Sequence, residues 1–364
     1  MLRGREKESG EDINVFYMGN RENLGFILNR LFSEYEEQDC VKNIPAITLR
    51  NLVKKYAPNA DLLFIDVELL YCRMISKAGF ISIPHWVRQS YRVPDTWQGV
   101  LGSFRKNTRA TDLRKVRKYG FTYSLTSKES DFRFFYHHMH KPYLQSRYED
   151  LVILEPEWKF MRQCRKGCLM QIIREGQVMG GVVLHRTDAR LAYVWIGIRK
   201  GLEPELMKGV FSAMYYFTLL HGYEGGCGEV DFLGTRPIIN DGLFRYKRKW
   251  GTFVADSPIP RGDILLKPMR FSPPLQRFFS ANCFVARDGK NLCGKVLLDR
   301  TAVAIADLEE VEKNMVTPGL TAIKVYSLFG YKESVSDWAR ASTPNLHLVD
   351  LREYPDPAAA FCTA

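Results

Sequence analysis

Glu229-Val-Asp-Phe-Leu-Gly234, followed after a short loop by Gly242-Leu-Phe-Arg-Tyr-Lys-Arg-Lys-Trp-Gly251, decides how the middle of this chain folds. In the first stretch Val230 and Phe232 alternate with Glu229 and Asp231, the period of a strand with one apolar face. The second reads as a short basic helix ending at Gly251. Upstream, Leu206, Val210, Ala213, Phe217 and Leu220 recur at helical spacing on a segment apolar nearly all round, and Gly222 is placed to cap it. Before that helix stand three strand-like runs, 168–174, 177–185 and 190–198, separated by a Glu175-Gly176 turn and by Asp188. Three antiparallel strands, a buried helix, a strand of parallel type and a further helix make an α+β domain.

On the N-terminal side, 13–18 reads as a strand, 22–35 as an amphipathic helix, 47–56 as a short helix and 60–66 as a buried strand. Residues 1–120 are therefore expected to form an α/β lobe and 121–255 the central domain. A helix from Ser130 carries His137, His138 and His140, and Pro142 should end or kink it. Residues 256–364 open on a Pro-rich connection, 257–260 and 267–274. They continue with a hairpin at Asp288-Gly289, a helix at 306–314 and strands at 321–328 and 346–351. This last segment either stands alone or packs with the N-terminal lobe.

The 364 residues are 46% hydrophobic and 26% charged, which excludes a disordered tail or a fibre. No stretch reaches the ~18 consecutive apolar residues of a membrane span, and the mixed-charge start has no signal-peptide core, so a cytoplasmic protein is the expectation. Eight scattered cysteines are read as thiols. Of the three close histidines only His137 and His140 share a helix face, with no further ligand at a suitable distance, so no metal is expected. The net charge of +11 favours a phosphate-bearing partner, with solubility as the plainer reading. Much of the excess falls in 105–118, where Arg105, Lys106, Arg109, Arg114, Lys115, Arg117 and Lys118 face a single acid, Asp112. A second group, Arg245, Lys247, Arg248 and Lys249, lies in the short helix quoted above.

Those two quoted stretches resemble the FemA/FemB-type transferases of the GNAT N-acyltransferase superfamily. Their pattern runs Tyr-Asp-Phe-Gly-Gly, loop, Gly-Leu-aromatic-Arg-aromatic-Lys-x-x-aromatic-Gly. The second half matches, while in the first Val230 replaces Tyr and Leu233 replaces the first Gly. The helix with Phe135-Tyr136, Met139, Pro142-Tyr143 and Arg147-Tyr148 is similar to FemAB-related acetyltransferase-like proteins. The resemblance covers about 121–254. It implies a GNAT-type mixed sheet flanked by helices, with a second α/β lobe beside it, and N-acyl transfer to an amine.

Such a transfer needs a neutral amine, a carbonyl beside it, stabilisation of the oxyanion and a proton for the leaving group. The resemblance puts Lys247 at the oxyanion or donor phosphate, Tyr143, Arg147 and Tyr148 in the acceptor cleft, and Arg245 and Tyr246 beside them. Asp231, opposite its apolar strand neighbours, is the candidate base or amine anchor. A surface lysine and a strand-end carboxylate are the plainer readings of Lys247 and Asp231. For the donor phosphates the candidates are Lys200, Lys208, Arg109 and Arg114. The resemblance makes acyl-CoA the first donor and aminoacyl-tRNA the alternative. The loop at 199–209 lacks the glycine-rich pattern of a coenzyme A cradle, and Glu203 and Glu205 stand where phosphate would rest. A noncatalytic polyanion-binding module on the same fold is the third reading.

Overall fold

The computed structural model describes residues 1–363 except 41–47, 69–78, 149–153, 258–261, 336–337 and 339–344. Its strands are β1 (Leu2–Glu6), β2 (Asp12–Met18), β3 (Phe32–Glu37), β4 (Leu62–Glu68), β5 (Ile81–Pro84), β6 (Val87–Arg92), β7 (Thr122–Thr126), β8 (Gly167–Arg174) and β9 (Gln177–Thr187). The series continues with β10 (Arg190–Ile198), β11 (Glu229–Thr235), β12 (Phe253–Asp256), β13 (Gly262–Pro268), β14 (Phe284–Asp288), β15 (Asn291–Leu298), β16 (Ile323–Ser327) and β17 (Leu346–Asp350). The chain divides into two compact units. One gathers Met1–Val87, Thr235–Arg245 and Val254–Ala364; the other consists of Arg88–Gly234 and Tyr246–Phe253.

The first unit is thus built from both ends of the chain. One of its sheets has the order β3-β1-β2-β4-β13-β5 and the other β14-β15-β16-β17. β13 was expected to be part of a Pro-rich connection, yet it runs antiparallel between β4 and β5, with Ile264, Leu265 and Leu266 fully buried. Its proline, Pro268, is the last residue of the strand, where a missing N–H is tolerated. The helix expected over 22–35 stops at Leu31, and Phe32 begins β3. In the smaller sheet Lys295 of β15 is buried; its Nζ donates to Tyr326 Oη at 2.6 Å and to Phe361 O at 2.8 Å, tying the helix Pro357–Thr363 to the sheet. Burial pushes this ammonium down to about 8.

The second unit carries the sheet β12-β6-β11-β10-β9-β8-β7. β7 to β10 are antiparallel neighbours, the helix Pro204–Glu224 crosses over, and β11 returns parallel to β10. This is the GNAT-type order anticipated for the central domain. The unit starts at Arg88, however, and not near residue 121. Tyr91, Val100, Phe104, Leu113 and Val116 share one core with Val210, Ala213, Val230 and Trp250, so the basic segment 105–118 belongs here. That segment is a π-helical turn, Thr108–Asp112, running into the helix Leu113–Lys118.

Gly222 does not cap the crossover helix, which continues to Glu224 and is capped at Gly225. A Cβ on Gly222 would lie 2.7 Å from Val230 Cγ2, so the glycine lets the helix lie close on β11. Pro142 does not break its helix either. The chain passes through a π-helical turn, Tyr136–His140, directly into Lys141–Tyr148, and this widened turn just before Pro142 is where the hydrogen-bond ladder adapts to the missing N–H.

Candidate functional site

Parallel pairing of β10 with β11 runs over Arg190, Leu191 and Ala192 against Glu229, Val230 and Asp231. β10 then shifts register against β9 between Tyr193 and Trp195 and continues to Ile198. Beyond the paired residues, β11 makes a local left-handed turn within the strand: Leu233 has φ of 60°, the region that side chains other than glycine rarely occupy. In the FemA/FemB-type pattern that the sequence resembles, glycine stands at this position.

Two buried groups hold that turn. The Leu233 N–H donates to Asp231 Oδ1 at 2.9 Å. Lys247, 4% exposed, donates from Nζ to Leu233 O at 3.3 Å and to Gly234 O at 2.9 Å. The helix Gly242–Arg248 supplies the lysine and Gly251, φ 83°, ends its last turn against Ser103 and Tyr91. Burial pushes the Lys247 ammonium down to about 7, with the Asp231 charge acting the other way. It is a lysine that can hold or release a proton near neutrality, and two carbonyls engage two of its three ammonium hydrogens.

Asp231, 1% exposed, faces guanidinium groups where an amine was expected. Oδ1 accepts from Arg88 Nε at 2.9 Å, Oδ2 accepts from Arg88 NH2 at 2.7 Å, and Ser90 Oγ lies 3.4 Å from Oδ1. Arg190 adds an ion pair to Oδ2 at 2.8 Å and another to Glu229 at 3.3 Å. With the Leu233 amide counted, Oδ1 accepts from three donors and Oδ2 from Arg88, with the Arg190 charge beside it. Arg88, Ser90 and Arg190 went unnoticed in the sequence. The signal was there in a general form: an acid between two buried apolar strand residues demands cationic partners.

The basic segment and the short helix meet through Lys249. Its Nζ donates to Asp112 Oδ1 at 2.8 Å, and its carbonyl accepts from Thr108 Oγ1 at 2.9 Å and from the Arg105 N–H at 3.1 Å. Arg109 and Arg114 are exposed. At the start of the crossover helix Glu205 pairs with Lys208 at 2.6 Å and with Lys115 at 3.0 Å; their hydrogen bonds hold its carboxyl down to about 2. Lys208 is thereby engaged, while Lys200 is exposed in the preceding turn. The charges at this helix start are thus paired with one another.

Tyr143 and Tyr246 both meet Phe211, at ring distances of 5.6 and 6.4 Å, and Tyr246 also meets Tyr215 at 5.1 Å. Phe232, just beyond the last paired residues, stacks on Tyr215, which in turn stacks on Trp250, and Tyr193 meets both Tyr215 and Phe232 at a tilt. An aromatic wall therefore stands next to the point where β10 and β11 part. Arg147 and Tyr148 close the helix Lys141–Tyr148, and their side chains lie outside the described residues. Arg245 is exposed and belongs to the first unit. His140 is buried, with Nδ1 2.6 Å from Ile196 O; among the described residues no group of His, Cys, Asp and Glu is arranged to hold a metal ion.

No family model matches the chain, and no curated protein does. The chain is similar to several solved structures. FemX is 13% identical over 72% of this chain and 82% of its own, with a TM-score of 0.38. The structure of L-PGS from Bacillus licheniformis is 12% identical over 61% and 72%, with 0.35, and a GCN5-related N-acetyltransferase from Kribbella flavida is 13% identical over 61% and 73%, with 0.26. The functional reading rests on the residues just described.

Proposed function

We propose that the second unit transfers an acyl group from a phosphate-bearing donor to an amine by direct attack, without a covalent enzyme intermediate. The observation that carries this reading is Lys247: a buried amine, poised near neutrality, seated on the two carbonyls of a left-handed turn where the parallel strands part. The acceptor nitrogen bonds to the donor carbonyl carbon, the oxyanion that forms is met by the Lys247 ammonium, and as the carbonyl re-forms the bond to the leaving sulfur or oxygen breaks and that atom takes the proton of Lys247. The nitrogen's own proton passes to solvent or to Lys247 once it is neutral. Tyr143 and Tyr246, on the aromatic wall, are the residues proposed to shape the acceptor side.

Acyl-CoA and aminoacyl-tRNA both fit this chemistry. The ion-paired Glu205 at the crossover helix favours the second, because a donor held through its phosphate backbone needs no cradle there and meets the exposed Arg109 and Arg114 instead. The test combines donor and residue. Transfer to a panel of amines is followed by mass spectrometry with each donor, for the native protein and for Lys247→Met. We expect at least a hundredfold loss of turnover in the folded variant; full turnover would remove Lys247 from the mechanism. Salt-dependent tRNA binding with no transfer from either donor would make the unit a binding module.

A further inference from the structure

We propose that Arg88, Asp231 and Arg190 form a positioning network that fixes the turn at Leu233 and, through it, the seat and the protonation of Lys247. A carboxylate that is 1% exposed, accepts from the Arg88 guanidinium, a hydroxyl and a backbone amide, and is ion-paired with Arg190 is held on both oxygens by groups of this chain. Its bond to the Leu233 N–H is made on the residue whose backbone is strained, and the carbonyl of that same residue accepts from Lys247. A continuous chain of polar contacts therefore runs from β6 and β10, through the Asp231 carboxylate and the Leu233 peptide, to the helix Gly242–Arg248. Leaving Asp231 in place without its partners would strand a buried charge, which is why the arginines and the acid act together.

The charges around Lys247 divide clearly. Asp231 of β11 is the group whose field opposes the effect of burial on Lys247; Arg88 of β6 and Arg190 of β10 stand behind it, and Glu229 pairs with Arg190. On the helix side Lys249 is turned to Asp112, and Arg248 is buried. Asp231→Asn keeps an acceptor for the Leu233 amide and removes the charge, so it should make Lys247 harder to protonate. Arg190→Gln leaves the carboxylate less neutralised and should do the opposite.

The measurement needs no substrate, and the inference depends on the proposed reaction only for its effect on turnover. Full-length protein labelled with carbon-13 at the lysine Cε is titrated by NMR, with Lys247→Met identifying the signal. We expect a Lys247 midpoint near 7, a fall of at least one pH unit in Asp231→Asn, and a rise in Arg190→Gln. An unchanged midpoint in both folded variants would overturn the network, whatever the activity of the enzyme. Should Asp231→Asn fail to fold, the direction of the Arg190→Gln shift decides alone. Full turnover in Lys247→Met, alongside the expected shifts in the other variants, would remove Lys247 from the proposed mechanism and leave the network standing.

Discussion

Leu233 shows how one residue can carry two kinds of information. Its φ of 60° is a conformation that a leucine holds at a penalty of ~1–2 kcal/mol, and its peptide group is gripped from both sides by Asp231 and Lys247. Leu233→Gly removes the penalty but adds ~0.5–1 kcal/mol of chain entropy to the unfolded state. These nearly cancel, so we expect urea unfolding to show no loss of stability, in contrast to most truncations of a strand leucine. A loss above ~2 kcal/mol would mean that side-chain packing, not the turn, fixes the residue. The sequence displayed the substitution of glycine by leucine in the family pattern, but not the backbone angle that gives it meaning. Likewise Asp231 was visible as a lone strand acid, whereas its partner Arg88 lies 143 residues away and only the order of β6 beside β11 brings them together.

Among the elements, those with a strong local period were legible and those defined by neighbours were not. β8, β9, β10 and the crossover helix were readable because hairpin turns and helical spacing are written over short windows. β13 was hidden by flanking prolines, although Ile264, Leu265 and Leu266 form the short apolar run of a central strand. The basic segment was readable as charge and misplaced as architecture, since Val100, Phe104, Leu113 and Val116 reveal their core only in three dimensions. Gly222 belongs to the same class: a cap by sequence, a contact surface by structure. We expect Gly222→Ala to destabilise the protein by ~1–3 kcal/mol in chemical denaturation, because the added methyl meets Val230 Cγ2 at 2.7 Å. A neutral substitution would show that the helix can slide on β11 without loss.

Over the whole molecule, the buried lysines shape the response to pH. Lys247 and Lys295 have folded values of about 7 and 8 against 10.5 when exposed, so the unfolded chain binds more protons between those limits. Their penalty is full below about pH 7 and lifts as pH rises, which makes stability increase from about pH 7 to 9. Above pH 9 the thiols of Cys164 and Cys283, pushed up to about 12 by burial, oppose the trend because the unfolded chain ionises them first. Thermal melts across this range should show the rise, and Lys295→Met should flatten part of it; a monotonic fall from pH 7 would contradict both values. The late position of β13 has a consequence for how the protein is made. A nascent chain displays β4 and β5 long before residue 262 leaves the ribosome, and throughout that interval both strands lack the neighbour that joins them. All of Arg88–Gly234 and Tyr246–Phe253 is synthesised in the meantime. Translation order thus gives the inserted unit a head start, and any truncation before Gly262 leaves two buried-type strand edges open to other chains.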